Sequence, residues 1–148
     1  MPDWINAGFD DYARRMPREM PLALTELKPE ARGDKPSAGD IARVLEQEAQ
    51  RIEAALPKGG RTMVLDETGK MVTTRQLADN MTRWRDDGRD ITFVIGGADG
   101  TAARLKQRAD WLWSLSPLTL PHGLVRVVLA EQLYRAASIL GNHPYHRV

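Results

Sequence analysis

Residues 96 to 100, Gly-Gly-Ala-Asp-Gly, follow a short apolar run and precede a segment with helix-like spacing. Glycine at such a junction lets the backbone approach a ligand closely or adopt a positive φ. The segment matches neither the GxGxxG fingerprint of dinucleotide-binding domains nor the phosphate-binding P-loop, so neither ligand class is indicated. An ordinary turn between a strand and a helix accounts for it equally well.

Residues 114 to 123, Ser-Leu-Ser-Pro-Leu-Thr-Leu-Pro-His-Gly, are unusual because two prolines enclose an apolar stretch. Pro117 and Pro121 have no backbone N–H, so this segment cannot be a regular central strand along its whole length. Its other backbone groups need hydrogen-bond partners. A bound adenine that contacts the backbone, with Leu118 and Leu120 covering its faces, would provide them. A well-packed crossover loop is the alternative.

All three histidines, His122, His143 and His146, lie near the C-terminus. The His-x-x-His pair with a distant third histidine has the donor types of a metal site. However, Pro144 makes the pair non-helical and no carboxylate is patterned nearby, so we predict no metal. His122 directly precedes a predicted helix, where it could cap the helix, pack against it or contact a substrate.

Aromatic rings and positively charged donors cluster in the same part of the chain. The set is Tyr134, Arg135, His143, Tyr145, His146 and Arg147. Such side chains stack bases and hold phosphates in RNA-binding proteins. The alternative is that Arg135 and Glu131, an i,i+4 pair, merely solvate a helix face. Because the net charge is only +1, from 21 basic and 20 acidic residues, a nucleic-acid role would depend on this local surface.

The elements that position these residues can be predicted from hydrophobic periodicity and turn residues. We predict helices over residues 4 to 15, 40 to 56, 101 to 109 and 124 to 140, and another from the capping-box spacing of Thr73 and Gln76 to Asp87-Gly88. Strands are predicted over residues 22 to 27, 62 to 66 and 91 to 95, a turn over 67 to 70, and an exposed loop over 29 to 40. Residues 115 to 120 are a strand or an extended loop.

This alternation predicts an α/β fold with a mostly parallel sheet. Ligands of such sheets bind outside the carboxyl ends of the strands. The loops after Asp66, Ile95 and Leu120 would therefore form one candidate pocket.

The composition narrows the class of protein. A chain of 148 residues fits one domain over residues 1 to 148. The absence of cysteine excludes disulfides, thiolate zinc sites and a cysteine nucleophile, and suits the cytoplasm. The sequence has neither an apolar run of membrane-spanning length nor a signal peptide at its start. We expect a soluble cytoplasmic domain without a membrane partner.

Residues 120 to 136 and 142 to 147 closely resemble the ribosomal RNA large subunit methyltransferase H family, within the SPOUT, or α/β-knot, superfamily. Further matching motifs are Met1-Pro2-Asp3-Trp4, Leu65-Asp66 with Gly69-Lys70, Asp87-Gly88-Arg89, Ile95-Gly96-Gly97 and Ser114-Leu115-Ser116. The resemblance extends essentially from end to end.

The resemblance implies helices on both faces of the sheet, a C-terminal trefoil knot, and a homodimer. It also implies S-adenosyl-L-methionine (SAM) as methyl donor, no metal, and methylation at N3 of a pseudouridine in the 23S rRNA of the assembled ribosome. By motif position, the SAM contacts would be Leu65, Gly97, Ser116, Pro117, Leu118, Thr119, Leu120 and Pro121.

The same resemblance suggests roles for the C-terminal residues. Because N3 of pseudouridine must lose a proton, His122, Tyr145 and Arg147 are candidates for assisting that loss or stabilising the anion. The candidates for RNA contacts are Arg126, Arg135, His143 and His146. The base among the catalytic candidates is not assigned.

Two departures from the family pattern are noted. Relatives usually carry a short apolar strand before Met-Pro-Asp-Trp, so we expect the first strand of the family to be missing here, through a misplaced start or trimming. Its loss would uncover a sheet edge. Val148 stands where relatives often have an acidic residue. Two alternative functions remain: a non-catalytic RNA- or ribosome-binding module of the same fold, and a SPOUT enzyme that acts on tRNA.

Overall fold

The computed structural model describes residues 1–28, 33–97 and 100–147. In these ranges the elements are α1 (Asp3–Arg15), α2 (Ala38–Ala55), β1 (Arg61–Met71), α3 (Thr74–Asp87), β2 (Ile91–Ile95), α4 (Ala103–Arg108), β3 (Trp111–Ser114), α5 (His122–Leu140) and a 3₁₀-helix (Pro144–Arg147). The contacts divide the chain into two compact units. The first unit is Met1–Leu24, Val72–Gly88 and Leu120–Val148, and the second is Thr25–Met71 and Arg89–Thr119. The single domain over residues 1 to 148 stays a prediction.

The sheet of the second unit has three parallel strands in the order β2-β1-β3, which confirms the predicted α/β class. The central strand is buried from Thr62 to Leu65, as is typical of parallel strands covered on both faces. Leu65 lies opposite Ile95 of β2 and Trp113 of β3. Strands β2 and β3 therefore end near the level of Leu65, whereas β1 continues to Met71.

Strand β1 leaves its ladder with β3 for four residues and then rejoins it. Both Leu65 and Lys70 are paired with Trp113, so residues 66 to 69 form an excursion from the ladder. Only glycine fits at position 69, where β1 rejoins the ladder with β3. A Cβ on Gly69 would lie 2.7 Å from backbone atoms of Leu112 and Trp113. The predicted turn at residues 67 to 70 is wrong, since the strand continues to Met71.

The first unit is built on α5, which contacts both α1 and α3. Gly123 permits the contact with α1, since a Cβ there would overlap Ile5 and approach Met1 Sδ at 3.3 Å. The apolar residues of α5 differ in burial. Leu129, Leu133, Ala136 and Ala137 are buried, whereas Leu124, Val125, Val128 and Leu140 are half-buried. Two packed helices bury more than one face of α5, so Ala130 and Ser138 are buried as well.

Helix boundaries follow local hydrogen bonds. The predicted capping box of α3 is confirmed: Gln76 N–H donates to Thr73 Oγ1 at 3.1 Å, and Thr73 N–H donates to Gln76 Oε1 at 2.8 Å. Gly88 ends α3 with a φ of 74°, a left-handed conformation that favours glycine. Helix α2 begins two residues before its predicted start, because Ser37 and Asp40 form a second capping box.

Several predicted elements require correction. Residues 22 to 27 are not a strand, because no described strand pairs with them, and Leu24 is exposed. The third strand is Trp111–Ser114 rather than residues 115 to 120, which form the extended loop. Helix α4 is shorter than predicted, and His122 is the first residue of α5.

The tail was also expected to be non-helical at Pro144, yet Pro144–Arg147 is a 3₁₀-helix. The first position of a helix tolerates proline, because an N–H there would have no partner.

Parts of three expectations, at residues 29 to 32, at Ala98 and Asp99, and at Val148, lie outside the described residues. The trefoil knot stays a prediction. Among the described residues, no helix is both long and apolar enough to cross a bilayer.

We expect Gly69→Ala to lower the free energy of unfolding by about 1–3 kcal/mol, because the added methyl group overpacks against the backbone of β3. The control is Gly39→Ala in α2, where a Cβ would lie 3.8 Å from Ser37 Oγ and should raise stability by up to about 1 kcal/mol. Urea unfolding measures both variants. Equal effects would contradict the close approach at Gly69.

Candidate active site

Three loops leave the sheet of the second unit at the same edge. Two of them follow the ends of β2 at Ile95 and β3 at Ser114, and the third is the excursion of β1 after Leu65, in a strand that continues to Met71. This is the edge at which ligands bind to open parallel sheets. The structure thus brings Leu65, Gly97 and residues 116 to 119 to one edge, although the third loop begins after Ser114 and not after Leu120 as predicted.

The glycine-rich segment turns too tightly for a side chain at its first position. A Cβ on Gly96 would overlap the Thr101 hydroxyl and lie 2.7 Å from the Gly100 carbonyl oxygen. Gly100 has a φ of 85°, and its N–H donates to the carbonyl oxygen of Gly97 at 3.0 Å. Gly97 itself is exposed. The turn therefore requires glycine at positions 96 and 100 and leaves Gly97 accessible.

The proline-bracketed loop, residues 115 to 121, is held by two serine side chains. Ser114 Oγ donates to the Ser116 carbonyl oxygen, and Leu118 N–H donates to Ser116 Oγ, both at 3.0 Å. Within the described part of the chain, no backbone–backbone hydrogen bond holds residues 115 to 119. Leu118 is 71% exposed. Backbone groups that make no backbone–backbone hydrogen bonds can bind the polar edge of an adenine, and the exposed Leu118 side chain can cover its face. The loop therefore fits SAM, the predicted methyl donor.

Two carboxylates of the β1 excursion tie the loops together. Asp66 lies 3.2 Å from Lys106 Nζ of α4 and accepts hydrogen bonds from the amide and hydroxyl of Thr68. Glu67 Oε2 accepts from Thr119 Oγ1 of the proline-bracketed loop at 3.4 Å. These contacts were not predicted. Acidic side chains directly after a buried strand were the available signal, but their partners are distant in sequence.

The environment of Asp66 keeps it ionised. Burial alone would raise the pKa of Asp66, but hydrogen bonds from Thr68 and the ammonium group of Lys106 together hold this pKa below its usual value. A charged Asp66 maintains the link to α4.

In the first unit, four of the predicted aromatic and basic residues lie together: Tyr134, Arg135, His143 and Tyr145. We define the aromatic cluster as Tyr12, Tyr134, His143 and Tyr145. The ring centroid of Tyr134 lies 4.6 Å from that of Tyr145, 6.3 Å from Tyr12 and 6.4 Å from His143. Arg135 places its guanidinium 4.8 Å from the ring centroid of Tyr145. The missed member is Tyr12, which comes from α1.

Tyr145 is held as a neutral phenol. Its hydroxyl donates to Glu131 Oε2 at 3.0 Å, and Arg135 lies 3.1 Å from the same carboxylate oxygen. Burial raises the pKa of Tyr145, and its hydrogen bonds with Tyr12 and Glu131 raise it further. The side chains of Arg135 and Glu131 are 24% and 18% exposed, so this pair does more than solvate a helix face.

The other predicted residues differ in accessibility. His122 and Arg147 are exposed, as is Pro121, whereas Leu120 and His146 are half-buried. Arg126 is buried, with 8% of its surface exposed. His143 is exposed and accepts the N–H of Tyr145 at its Nδ1, at 3.2 Å. Across the described ranges, no group of three His, Asp or Glu side chains could hold a metal ion.

Asp66→Asn tests the ionised link between the excursion and α4. Because its pKa in the folded state is lowered, ionised Asp66 stabilises the fold above its unfolded pKa of about 3.9. That stability is lost as the pH falls through the lower folded pKa. The difference in urea midpoint between the parent and Asp66→Asn should therefore be largest at neutral pH and shrink below about pH 4. The control is Asp79→Asn on the exposed surface of α3, and an equal, pH-dependent loss in both variants would contradict the assignment.

Comparison with known proteins gives one consistent relationship. The model of the family described as "Predicted SPOUT methyltransferase" matches residues 1–146. The chain is also similar to proteins named ribosomal RNA large subunit methyltransferase H from Burkholderia mallei (strain ATCC 23344) and Burkholderia pseudomallei (strain K96243). Each is 58% identical over 147 residues, which cover 99% of this chain and 92% of the relative. The resemblance of its motifs is confirmed, and this chain belongs to the SPOUT methyltransferase family.

Proposed function

We propose that this chain is a SAM-dependent methyltransferase that modifies N3 of a pseudouridine in 23S rRNA, on the assembled ribosome in the cytoplasm, as a homodimer. The observation that carries the proposal is the sheet edge with its open proline-bracketed loop, beside Leu65 and the exposed Gly97. The names of the relatives, which specify large-subunit ribosomal RNA, support the choice of substrate.

The proposed donor contacts in the second unit are Leu65, Gly97, Ser116, Pro117, Leu118 and Thr119. Leu120 and Pro121, which follow along the same segment, complete the proposed set. Ser116 is already fixed by its bonds to Ser114 and Leu118, so the backbone beside it is preorganised to receive an adenine. SAM, when bound, supplies a methyl group on a sulfonium that already contains the leaving group. The main task of the protein is therefore alignment, and no metal is needed.

The proton of N3 is the second chemical requirement. Tyr145 is a poor acceptor, because its raised pKa keeps the phenol protonated and its hydroxyl donates to Glu131. His122 is exposed, and an imidazole can act as a general base. Arg147, also exposed, can stabilise the anion by charge. We therefore propose His122 as base, Arg147 as electrostatic stabiliser, and Tyr145 as an anchor for Glu131 and Arg135.

The RNA surface is proposed around the C-terminal part of the chain. Arg135 contacts the aromatic cluster, to which His143 belongs, and His146 lies in the 3₁₀-helix. Rings and cations together are the common chemistry for holding unstacked nucleotides. Arg126 is buried, so we propose that it supports α5 rather than touching RNA.

Labelled SAM tests the function directly. After incubation with ribosomes that lack the modification, and separately with tRNA, we expect the label at N3 of a pseudouridine in 23S rRNA. Label in tRNA alone would support a SPOUT enzyme for tRNA. Calorimetry that shows no SAM binding to the folded protein would support a non-catalytic ribosome-binding module.

The proposed division of roles predicts different losses in two variants. His122→Ala should lower kcat by about 10²–10⁴-fold, the usual contribution of a general base, with SAM affinity unchanged. Tyr145→Phe keeps the ring and should lower kcat by less than about tenfold, because its hydroxyl is not the proton acceptor. Single-turnover methyl transfer to ribosomes measures both. The reverse order of losses would show that the base is misassigned.

A further inference from the structure

A cleft of about 190 Å³ lies in the first unit, beside the aromatic cluster. Its lining includes Arg15, Pro17, Tyr134 and His143, together with small residues at the end of α5. None of the residues proposed for the methyl donor or for proton transfer lines it. Of its lining residues only His143 already has a proposed role, as an RNA contact, so the cleft would extend the proposed RNA surface.

The walls of the cleft combine a ring with a cation. The guanidinium of Arg15 lies 5.9 Å from the ring centroid of Tyr134 and 5.7 Å from that of Tyr12. The small residues Ala137, Ser138 and Gly141 leave room beside the Tyr134 ring. A flat apolar surface with a positive charge at its rim suits a nucleotide, whose base stacks while its phosphate meets the charge.

Arg15 is available for a phosphate at little cost. Its present partner is Asp11, at 3.1 Å, and the two side chains are 47% and 43% exposed. An exposed ion pair of this kind contributes about 0–1 kcal/mol, so a phosphate can replace the carboxylate. His143 adds a second donor: its Nδ1 accepts the N–H of Tyr145, so in a neutral ring the proton lies on Nε2.

The polar groups around the end of α5 are already satisfied. The carbonyl oxygens of Ala137 and Ser138 accept from Gly141 N–H at 2.9 Å and His143 N–H at 2.8 Å, and Ser138 Oγ donates to the Arg135 carbonyl oxygen at 2.6 Å. A base here would be held by stacking and not by its hydrogen-bonding edge, which makes the site tolerant of sequence. Helices α1 and α5 both end here with partial negative charge, so a phosphate alone would bind weakly and the stacked base must supply most of the binding.

We propose that this cleft binds one nucleotide of single-stranded RNA flanking the modified base, with the base against Tyr134 and a phosphate on Arg15 and His143. This inference rests on the proposed function in that the substrate is RNA. The cleft would position the strand without taking part in methyl transfer.

Fluorescence anisotropy with a labelled single-stranded oligouridylate, over a range of salt concentrations, tests the site without any requirement for methylation. Arg15→Ala should weaken binding about tenfold and reduce the slope of log K against log salt by about 0.7, the value for one lost phosphate contact on a single strand. Arg15→Lys should restore the slope. Tyr134→Leu should weaken binding about tenfold through lost stacking, with the slope unchanged. Inorganic phosphate should not compete.

The matched control is Arg14→Ala, which removes the same charge at the neighbouring position. The Arg14 side chain is 75% exposed and does not line the cleft. It should bind like the parent protein. If Arg14→Ala and Arg15→Ala have equal effects, the charge acts without the cleft and the inference is overturned. Thermal melting and SAM calorimetry confirm that each variant is folded.

Ribosome methylation separates this inference from the proposed function. Arg15→Ala should raise KM for ribosomes about tenfold, matching its loss in oligouridylate affinity, with kcat unchanged. If the protein binds RNA through Arg15 but methylates no RNA, the proposed function is contradicted, whereas the inference about the cleft is not. Normal methylation and normal binding by Arg15→Ala would overturn the cleft alone.

Discussion

The close approach of Gly69 to the backbone of β3 determines the shape of the sheet edge. Because a Cβ there would lie 2.7 Å from Leu112 and Trp113, only glycine lets β1 rejoin the ladder after residues 66 to 69. The strand can then release Asp66 and Glu67 at its carboxyl edge without ending. Lys106 and Thr119 contact these two carboxylates, so the excursion is linked to both α4 and the proline-bracketed loop.

The two chemical tasks of a methyltransferase, donor binding and proton removal, involve different kinds of contact in this chain. In the second unit, side chains hold the loops while the backbone of residues 115 to 119 stays open, which favours a ligand recognised through main-chain groups. In the first unit, Glu131 holds Tyr145 and Arg135 in a partly buried network. Burial raises the pKa of Tyr145, and its hydrogen bonds with Tyr12 and Glu131 raise it further, which favours the protonated phenol.

Local signals in the sequence predicted local structure well. The apolar run of β2 and the Thr73–Gln76 capping box were recognised because their determinants lie within a few residues. Residues 22 to 27 have strand-like alternation but no described partner, and a strand exists only as part of a ladder. The strand Trp111–Ser114 was missed although tryptophan favours strands, and the excursion was missed because Gly69 acts through a distant backbone. The motifs predicted the family, whereas the contacts of Glu67, Lys106 and Tyr12 required the fold.

The central claim is that the donor binds where the three loops leave the sheet. Hydrogen–deuterium exchange, with and without a concentration of SAM that calorimetry shows to be saturating, tests this most directly. We expect slower exchange on binding at residues 66 to 69, at Gly96 and Gly97, and at residues 115 to 119. The described amides of residues 115 to 119 make no backbone–backbone hydrogen bonds that would protect them. If exchange in the SAM-saturated protein slows elsewhere but not in these loops, the proposed donor site is wrong.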